Sequence, residues 1–164
     1  MKSDPIDKPD EVPPLGEVLE FMRVIWAVDH GLQKTSKRMG ARLGVTGPQR
    51  LVIRITGRFP GVSAKQLAHI LHIHPSTLTG ILRRLEKGGY LQRRTDPRDG
   101  RRALLGLTAR GRQLDVMSEE TVEAAVATLF QALPAEKLRA AQEVLGLLAD
   151  VLMQAPPAKG RRAQ

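Results

Sequence analysis

The sequence predicts a mainly α-helical chain that carries one small β-hairpin, with helices at both ends flanking a central unit. Three observations predict this architecture. Apolar residues recur at helical spacing over most of the chain, two helix starts carry capping boxes, and a stretch dense in turn formers separates two short strand candidates. A chain of 164 residues has room for one such unit with appended helices.

The N-terminal part divides into an arm and a helix. Residues 1–13 contain three prolines and no apolar periodicity, which predicts a flexible acidic N-terminal arm. From Leu15 the apolar positions fall at helical spacing, so we expect a long first helix within residues 14–44 that ends near Gly40.

Two short helices open the central unit, which we place at residues 45–112. Residues 46–49 read Thr-Gly-Pro-Gln, a capping box that predicts a helix to about Arg58. Residues 63–66 read Ser-Ala-Lys-Gln, a second capping box that predicts a short helix through Leu71.

A third helix and a hairpin complete the central unit. Pro75 suits the first position of a helix because its missing N–H costs nothing there, and the Gly-Gly pair at 88–89 ends that helix. Tyr90 and Leu91 are expected to lead into a strand. The turn formers at 95–100 then predict a hairpin whose second strand covers 103–107.

The C-terminal third is predicted to be two helices and a tail. Thr108 is expected to cap a long helix to about Phe130, and Pro134 to open a last one, so C-terminal helices occupy 113–153 and a basic disordered tail occupies 154–164. The last helix carries a narrow apolar seam with alternating spacings of three and four, which suits packing against another helix within or between subunits: Leu138, Ala141, Leu145, Leu148 and Leu152.

Positive charge is concentrated in the middle of the chain. The net charge is +9 and the pI is near 10.6. Residues 21–112 hold 19 basic and four acidic side chains (19 − 4 = +15), whereas residues 113–153 hold two and seven (2 − 7 = −5). A surface charged only for solubility would spread the sign more evenly, so a polyanionic partner is predicted.

Several function classes lack their signatures. The chain has no cysteine, which excludes disulfides, thiolate metal sites and thiol nucleophiles. A Gly-rich phosphate loop, a nucleophile elbow and paired catalytic carboxylates are also missing from the sequence, so neither enzymatic activity nor a cofactor is expected. No apolar run resembles a membrane span or a signal peptide, which makes the cytoplasm the expected compartment.

The order of the central elements is that of a winged helix-turn-helix, and the charge follows its geometry. A helix inserted into the major groove meets base edges with its leading turns, where residues 75–87 place small polar side chains and Arg83. Arg83 and Arg84 can reach guanine edges or phosphates. The hairpin tip offers three arginines that are long enough to enter a minor groove, although an ordinary solvated turn is the alternative: Arg98, Arg101 and Arg102.

Five stretches between residues 46 and 112 carry a family resemblance. They are Ser-Ala-Lys-Gln-Leu-Ala at 63–68, Pro-Ser-Thr-Leu-Thr-Gly at 75–80, Leu-Arg-Arg-Leu-Glu-Lys-Gly-Gly-Tyr-Leu at 82–91, Arg-Thr-Asp-Pro-Arg-Asp-Gly-Arg at 94–101 and Leu-Thr-Ala-Arg-Gly-Arg at 107–112. These stretches resemble the MarR family of transcriptional regulators, and the flanking helices agree with it in length and position.

The resemblance implies a homodimer that binds a double-stranded DNA operator. Its first helix and last two helices would form the dimerisation region, and each subunit would present one recognition helix and one wing. Asp96 and Arg98 match the family's Asp-x-Arg wing motif, in which the arginine enters the minor groove and the aspartate holds the wing. Arg83 departs from the family, since many members carry an acidic residue there. The predicted DNA contacts are Ser63, His74, Pro75, Ser76, Thr77, Thr79, Gly80, Arg83, Arg84, Asp96, Arg98, Arg101 and Arg102.

The resemblance also implies a cleft for a small aromatic or phenolic effector between the dimerisation helices and the DNA-binding part. Trp26 and His30 on the first helix are its predicted lining, and Arg50 and Arg54 are predicted partners for a carboxylate. Trp26 as a core residue, His30 as a surface residue and Arg50 as a partner of DNA or of a neighbouring acid are the alternatives.

A histidine cluster admits a metal hypothesis. His69 and His72, three apart, would share a helix face close to His74, and neutral imidazole suits zinc or copper. We favour a structural or DNA-facing role, because cysteine is absent and no nearby carboxylate completes a ligand set.

The sequence as a whole predicts a homodimeric, sequence-specific DNA-binding transcriptional regulator, most simply a repressor that a small aromatic acid releases from a near-palindromic operator. A ligand-independent or architectural DNA-binding protein and a metal-responsive regulator using His69, His72 and His74 are the alternatives. No membrane partner is expected.

Overall fold

The computed structural model describes residues 14–116 and 118–154, apart from the side chain of Arg101. The predicted arm at 1–13 and the predicted tail from residue 155 onwards lie outside the described residues. Within them the chain forms seven helices and two strands: α1 (Glu17–Leu43), α2 (Gly47–Arg58), α3 (Ala64–Ile70), α4 (Pro75–Lys87), β1 (Leu91–Asp96), β2 (Asp99–Leu107), α5 (Ala109–Leu114), α6 (Val122–Ala132) and α7 (Ala135–Gln154). The predicted fold class, mainly α with a small hairpin, is confirmed.

Residues 45–114, which we call the winged lobe, contain the core. Side chains from α2, α3, α4 and the hairpin pack into one cluster of buried residues: Val45, Val52, Ile53, Val62, Leu67, Ala68, Leu78, Leu82, Leu85, Tyr90, Leu91, Leu105 and Leu107. Burial of this many apolar side chains is the main stabilising term of the lobe, at about 25 cal/mol per Å² of apolar surface removed from water. The lobe therefore holds its helices and its hairpin in fixed relative positions.

The hairpin is longer than predicted. β1 and β2 pair antiparallel from Leu91 opposite Leu107 to Thr95 opposite Ala103, and a register shift then pairs Asp96 with Asp99. The second strand consequently begins at Asp99 and not at residue 103, because backbone pairing extends through residues that are turn formers by composition. An isolated bridge between Ser63 and Leu104 fastens the hairpin to the start of α3.

The first helix ends later than predicted. It continues past Gly40 to Leu43, and Gly44 follows with φ 72°, the left-handed conformation in which glycine commonly terminates a helix. The stop signal is thus the second of two nearby glycines.

The predicted single helix from Thr108 to about Phe130 is wrong. Thr108 does cap a helix, with its hydroxyl accepting from the Gly111 amide at 3.1 Å, but α5 ends at Leu114. A linker follows, and Thr121 caps α6 by accepting from the Ala124 amide at 3.2 Å. The linker lies close against α2, since a Cβ at Gly57 would stand 1.9 Å from a carboxylate oxygen of Asp115.

We call α1, α6 and α7 the outer helices, and they differ from the lobe in burial. Neither α6 nor α7 has a buried residue, and α1 has only Met39. Many large apolar side chains on these helices are exposed, among them Val18, Leu19, Val24, Trp26, Val28, Leu129, Leu145, Leu147, Val151 and Leu152. No helix among the described residues is long and apolar enough to span a membrane.

Candidate nucleic-acid interface

The start of α4 is fixed by the residues that precede it. His74 is the N-cap residue, and its Nδ1 accepts a hydrogen bond from the Ser76 amide at 3.2 Å and lies 2.7 Å from the Ser76 hydroxyl. Pro75 occupies the first turn, where its lack of an N–H costs nothing. His74 and Ser76 therefore order the leading turn of α4, and both remain exposed.

Two faces of α4 have opposite characters. Leu78, Leu82 and Leu85 are buried in the core of the lobe. The opposite face is exposed, and it presents small groups followed by two basic side chains: Ser76, Thr77, Thr79, Gly80, Arg83 and Arg84. The Thr79 hydroxyl donates to the Pro75 carbonyl at 2.8 Å, which leaves its oxygen lone pairs available to accept. This face has the size and polarity of a helix that enters a major groove.

The wing tip is held by Asp96. Its carboxylate accepts from the Arg98 amide at 2.9 Å, and its side chain is only 12% exposed. The Arg98 side chain is exposed at the tip. The geometry thus pairs a holding aspartate with a projecting arginine, and contact of Arg98 with DNA stays a prediction.

The other two wing arginines differ from Arg98. The side chain of Arg101 lies outside the described residues. Arg102 donates to the Gln66 amide oxygen at 2.9 Å and lies 4.0 Å from the Asp96 carboxylate, so in the free protein it ties the wing to α3 and does not project from the tip. Ser63 is likewise engaged locally, because its hydroxyl accepts from the Gln66 amide at 3.3 Å.

Basic side chains next to this face fall into two groups. Arg93 pairs with Glu86, and the guanidinium of Arg110 lies 4.6 Å from the centre of the Tyr90 ring. In the described part of the chain, by contrast, Arg83, Arg84 and Arg98 are exposed and their guanidinium groups have no described partner. The unpaired charge is therefore displayed along α4 and at the wing tip, where a phosphate backbone would pass.

The prediction that Arg50 meets a ligand carboxylate is wrong. Arg50 is 1% exposed, and its guanidinium donates to the Leu114 carbonyl at 2.7 Å, the Val116 carbonyl at 2.6 Å and Glu123 Oε1 at 2.6 Å. Arg54 is also engaged, since it bonds Asp115 Oδ1 at 2.7 Å as well as the Asp115 carbonyl. Of the alternatives given for Arg50, pairing with a neighbouring acidic residue is the one that the structure shows. Sequence reasoning missed this cluster because its partners are more than 60 residues apart along the chain.

Trp26 and His30 are both exposed on α1, one helical turn apart. The alternative that Trp26 belongs to the core does not hold within this chain, where 64% of the residue is accessible. A role for either residue in ligand binding stays a prediction.

The three histidines do not form one ligand set. His69 and His72 stack with ring centroids 6.3 Å apart, whereas His74 is turned toward Ser76. A carboxylate does approach His72, since Asp150 of α7 lies 3.8 Å away, but both groups are more than half exposed. Across residues 14–116 and 118–154, no three His, Cys, Asp or Glu side chains gather where a metal ion could sit.

A helix-turn-helix with a polar recognition face, followed by a hairpin with a projecting arginine, defines a winged-helix DNA-binding protein. The family model described as MarR family matches residues 43–102. The helix-turn-helix type transcriptional repressor Rv2887 of Mycobacterium tuberculosis is 34% identical over 103 residues, which are 63% of this chain and 74% of that protein. The chain belongs to the MarR family of transcriptional regulators.

Solved structures agree with the fold. The S. aureus MepR–DNA complex superposes with a TM-score of 0.66 at 20% identity, covering 80% of this chain and 97% of MepR. Rv2887 of Mycobacterium tuberculosis, solved in complex with p-aminosalicylic acid, has a TM-score of 0.50 at 28% identity and covers 77% of this chain and 96% of its own.

Proposed function

We propose that this protein is a homodimeric transcriptional repressor that binds a near-palindromic operator. The carrying observation is the exposed face of α4, with Arg83 and Arg84, on the same lobe as the projecting Arg98 of the wing. In this function α4 reads base edges in the major groove and Arg98 enters the adjacent minor groove. MepR, which shares the fold, was solved bound to DNA, and Rv2887 is named a repressor.

The exposed apolar surface of the outer helices supports the dimer. Leu145 and Leu152 on the α7 seam are 55% and 65% exposed, and Val18 on α1 is 73% exposed. Contiguous apolar patches larger than a few hundred Å² are rare on soluble monomers and usually mark an interface. A second copy of the chain would cover these helices and place two α4 helices about one DNA turn apart, roughly 10 bp from centre to centre.

We further propose that an aromatic acid weakens operator binding. Rv2887 is the supporting relative, because it was solved with p-aminosalicylic acid. In this chain Trp26 offers an exposed aromatic face on an outer helix, with His30 one turn further on. A ligand releases DNA only if it prefers the conformation that binds DNA worse, and a coupling of about 1–3 kcal/mol lowers affinity roughly 5- to 150-fold.

Fluorescence anisotropy tests both parts. A labelled duplex that the protein itself selects from a randomised pool is titrated with protein, first alone and then with p-aminosalicylic acid or other aromatic acids at saturation. The proposal expects saturable, sequence-specific binding that the acid weakens, with Trp26→Ala abolishing the effect of the acid and Trp26→Phe retaining it. If no sequence is selected, the DNA-binding function is wrong. If binding is specific but no acid changes it, only effector control is wrong.

A further inference from the structure

A cluster built around the buried Arg50 joins the winged lobe to the outer helices, and we call it the arginine clamp: Arg50, Arg54, Asp115 and Glu123. Arg50 and Arg54 lie one turn apart on α2, so both project toward the α5–α6 linker. Arg50 donates at 2.6 to 2.7 Å to two linker-end carbonyls and to Glu123. Arg54 bonds Asp115 and lies 3.4 Å from Glu123.

The clamp holds three segments against one helix. The Leu114 carbonyl belongs to the C-terminal end of α5, the Val116 carbonyl to the linker, and Glu123 to the first turn of α6. Carbonyls at a helix end and an acid in a first turn both attract a cation. Because α2 itself is part of the lobe core through Val52 and Ile53, the clamp fixes the start of α6 relative to the lobe.

Burial makes this arrangement specific. Arg50 is 1% exposed, whereas Glu123 keeps 26% of its side chain accessible. A buried guanidinium that loses a partner is strongly unfavourable, so it tolerates few alternative positions of the linker. The network differs from surface ion pairs such as Arg23–Glu20, whose partners are at least half exposed and contribute little to stability.

We propose that Arg50 is a positioning residue that sets the half-site spacing of the operator. This inference rests on the proposed dimeric DNA-binding function. The outer helices hold the two subunits together, so the angle at which α6 leaves the lobe determines the separation of the two α4 helices. Inserting one base pair moves a half-site by about 3.4 Å and rotates it by about 35°. A rigid linker therefore accepts one spacing, and a mobile linker accepts several.

Arg50 acts through the linker and not through DNA. Its guanidinium is enclosed by its own chain, so no phosphate or base reaches it. Loss of the clamp should consequently change which spacing is preferred, while the contacts that one lobe makes with one half-site stay the same.

Arg50→Met provides the test, because methionine keeps an unbranched apolar stem and removes the guanidinium with its charge. Parent and variant are titrated against the selected operator, against operators with one or two base pairs inserted or deleted between the half-sites, and against a single half-site duplex. Networks of this kind modulate coupling roughly 2- to 30-fold. We expect the affinity ratio between the best spacing and its neighbours to fall by a factor in that range, with single half-site affinity unchanged.

Two matched variants separate this role from general effects. Ile53→Val removes one methylene from the core face of the same helix and lowers stability without touching the clamp. Arg58→Met removes one exposed positive charge from the end of the same helix. Both should keep the spacing profile of the parent, even if affinity shifts uniformly. Glu123→Gln removes the charge of the more accessible partner in the same ion pair. It should reduce the affinity ratio between the best spacing and its neighbours, as Arg50→Met does. The test therefore remains decisive if Arg50→Met does not fold.

The inference is overturned if Arg50→Met and Glu123→Gln retain the spacing profile of the parent, or if they weaken the single half-site as much as the full operator. It is also overturned if the parent binds all spacings equally. In each of these cases specific binding by the parent leaves the proposed function standing, whereas failure of the parent to select any operator removes the proposed function itself.

Discussion

The winged lobe and the outer helices use the same kinds of residue in opposite ways. Apolar side chains of the lobe, such as Val52, Ile53 and Leu67, are fully enclosed by their own chain. Apolar side chains of α7, such as Leu147 and Val151, are more than 60% exposed, although they follow an equally regular helical pattern. The difference shows that the lobe buries its core within one chain, whereas the outer helices leave apolar surface exposed, which is the surface that the proposed dimer would cover.

The largest effect is expected from a substitution that disrupts the exposed apolar surface of the outer helices. Leu145→Asp puts a charge in the α7 seam, and because Leu145 is 55% exposed the chain itself need not unfold. A charge in an apolar interface is unfavourable unless it is paired, so we expect a monomer. Operator affinity should then fall at least on the order of 10³-fold, toward non-specific binding. Gly146→Asp is the control, because it adds the same charge on the polar face of α7, at a position where a Cβ meets nothing within 4 Å. Equal losses of operator affinity in both variants would contradict a role for the seam.

A core deletion in the lobe should have a different signature. Leu82→Ala empties space at a residue that is 1% exposed, and we expect a loss of about 2–5 kcal/mol in the free energy of unfolding. Urea denaturation measures this loss by far-UV circular dichroism. If the lobe is complete in one chain, Leu82→Ala in the Leu145→Asp background should cost the same. A cost that disappears in the monomer would show that the lobe depends on the partner.

Local sequence signals predicted the lobe well because its elements are marked locally. The Ser63 box forms as expected, with the Ser63 amide donating to Gln66 at 3.0 Å. In the Thr46 box the amide of Thr46 donates to Gln49 at 2.8 Å. Pro75 opens α4, and Gly88 with Gly89 follows its end. Each of these signals acts within a few residues, so a reading of the sequence captures it.

Long-range contacts explain what the sequence did not predict. The break between α5 and α6 leaves two carbonyls to which the guanidinium of Arg50 donates, and these carbonyls lie 64 and 66 residues further along the chain. The same bonds remove Arg50 from the predicted effector cleft. A local signal for the break did exist, because Thr121 precedes an apolar run and caps α6, but periodicity alone continued the helix across it. The position of Arg102 on Gln66 is another contact, 36 residues apart, that no local pattern reveals.

Within the lobe, two arginines of the wing differ in their contacts, so their substitution should weaken DNA binding to different extents. Arg98→Ala removes the exposed tip arginine and should weaken operator binding by about 1–3 kcal/mol. Arg102→Ala removes the same charge from a side chain bonded to Gln66, so its loss should be smaller. Anisotropy titrations of both variants at several salt concentrations measure this difference. If Arg102→Ala weakens operator binding more than Arg98→Ala does, then Arg102 leaves Gln66 to contact DNA. In that case the assignment of Arg98 as the tip residue that contacts DNA is wrong.

Arg83 tests which kind of contact α4 makes. Arg83→Ala should weaken binding in either case, since the side chain is exposed beside the polar face. A phosphate contact predicts a salt slope lowered by about one per subunit with unchanged sequence preference, whereas a base contact predicts relaxed preference at one position. Repeating the selection and the salt titration with Arg83→Ala distinguishes the two, and binding equal to the parent would place the recognition surface elsewhere.

The smallest expected effect has opposite signs in stability and binding. A Cβ at Gly80 would meet nothing within 4 Å, so Gly80→Ala should stabilise α4 by about 0.5–1 kcal/mol. In the proposed complex the added methyl group would face the DNA, so we expect it to lower operator affinity. Gly146→Ala on the polar face of α7, where a Cβ is equally free of contacts, should raise stability without lowering operator affinity. Tighter binding by Gly80→Ala would contradict close approach of DNA to this helix.

Sedimentation equilibrium of the protein, alone and with its selected operator, tests the central claim most directly. The account predicts a free species of about 36 kDa, two chains of 18.0 kDa each, and a complex that contains two chains per palindromic duplex. It predicts one chain per duplex for a single half-site. A free species of 18.0 kDa at micromolar concentration that binds the full operator as one chain, with undiminished affinity, would contradict it.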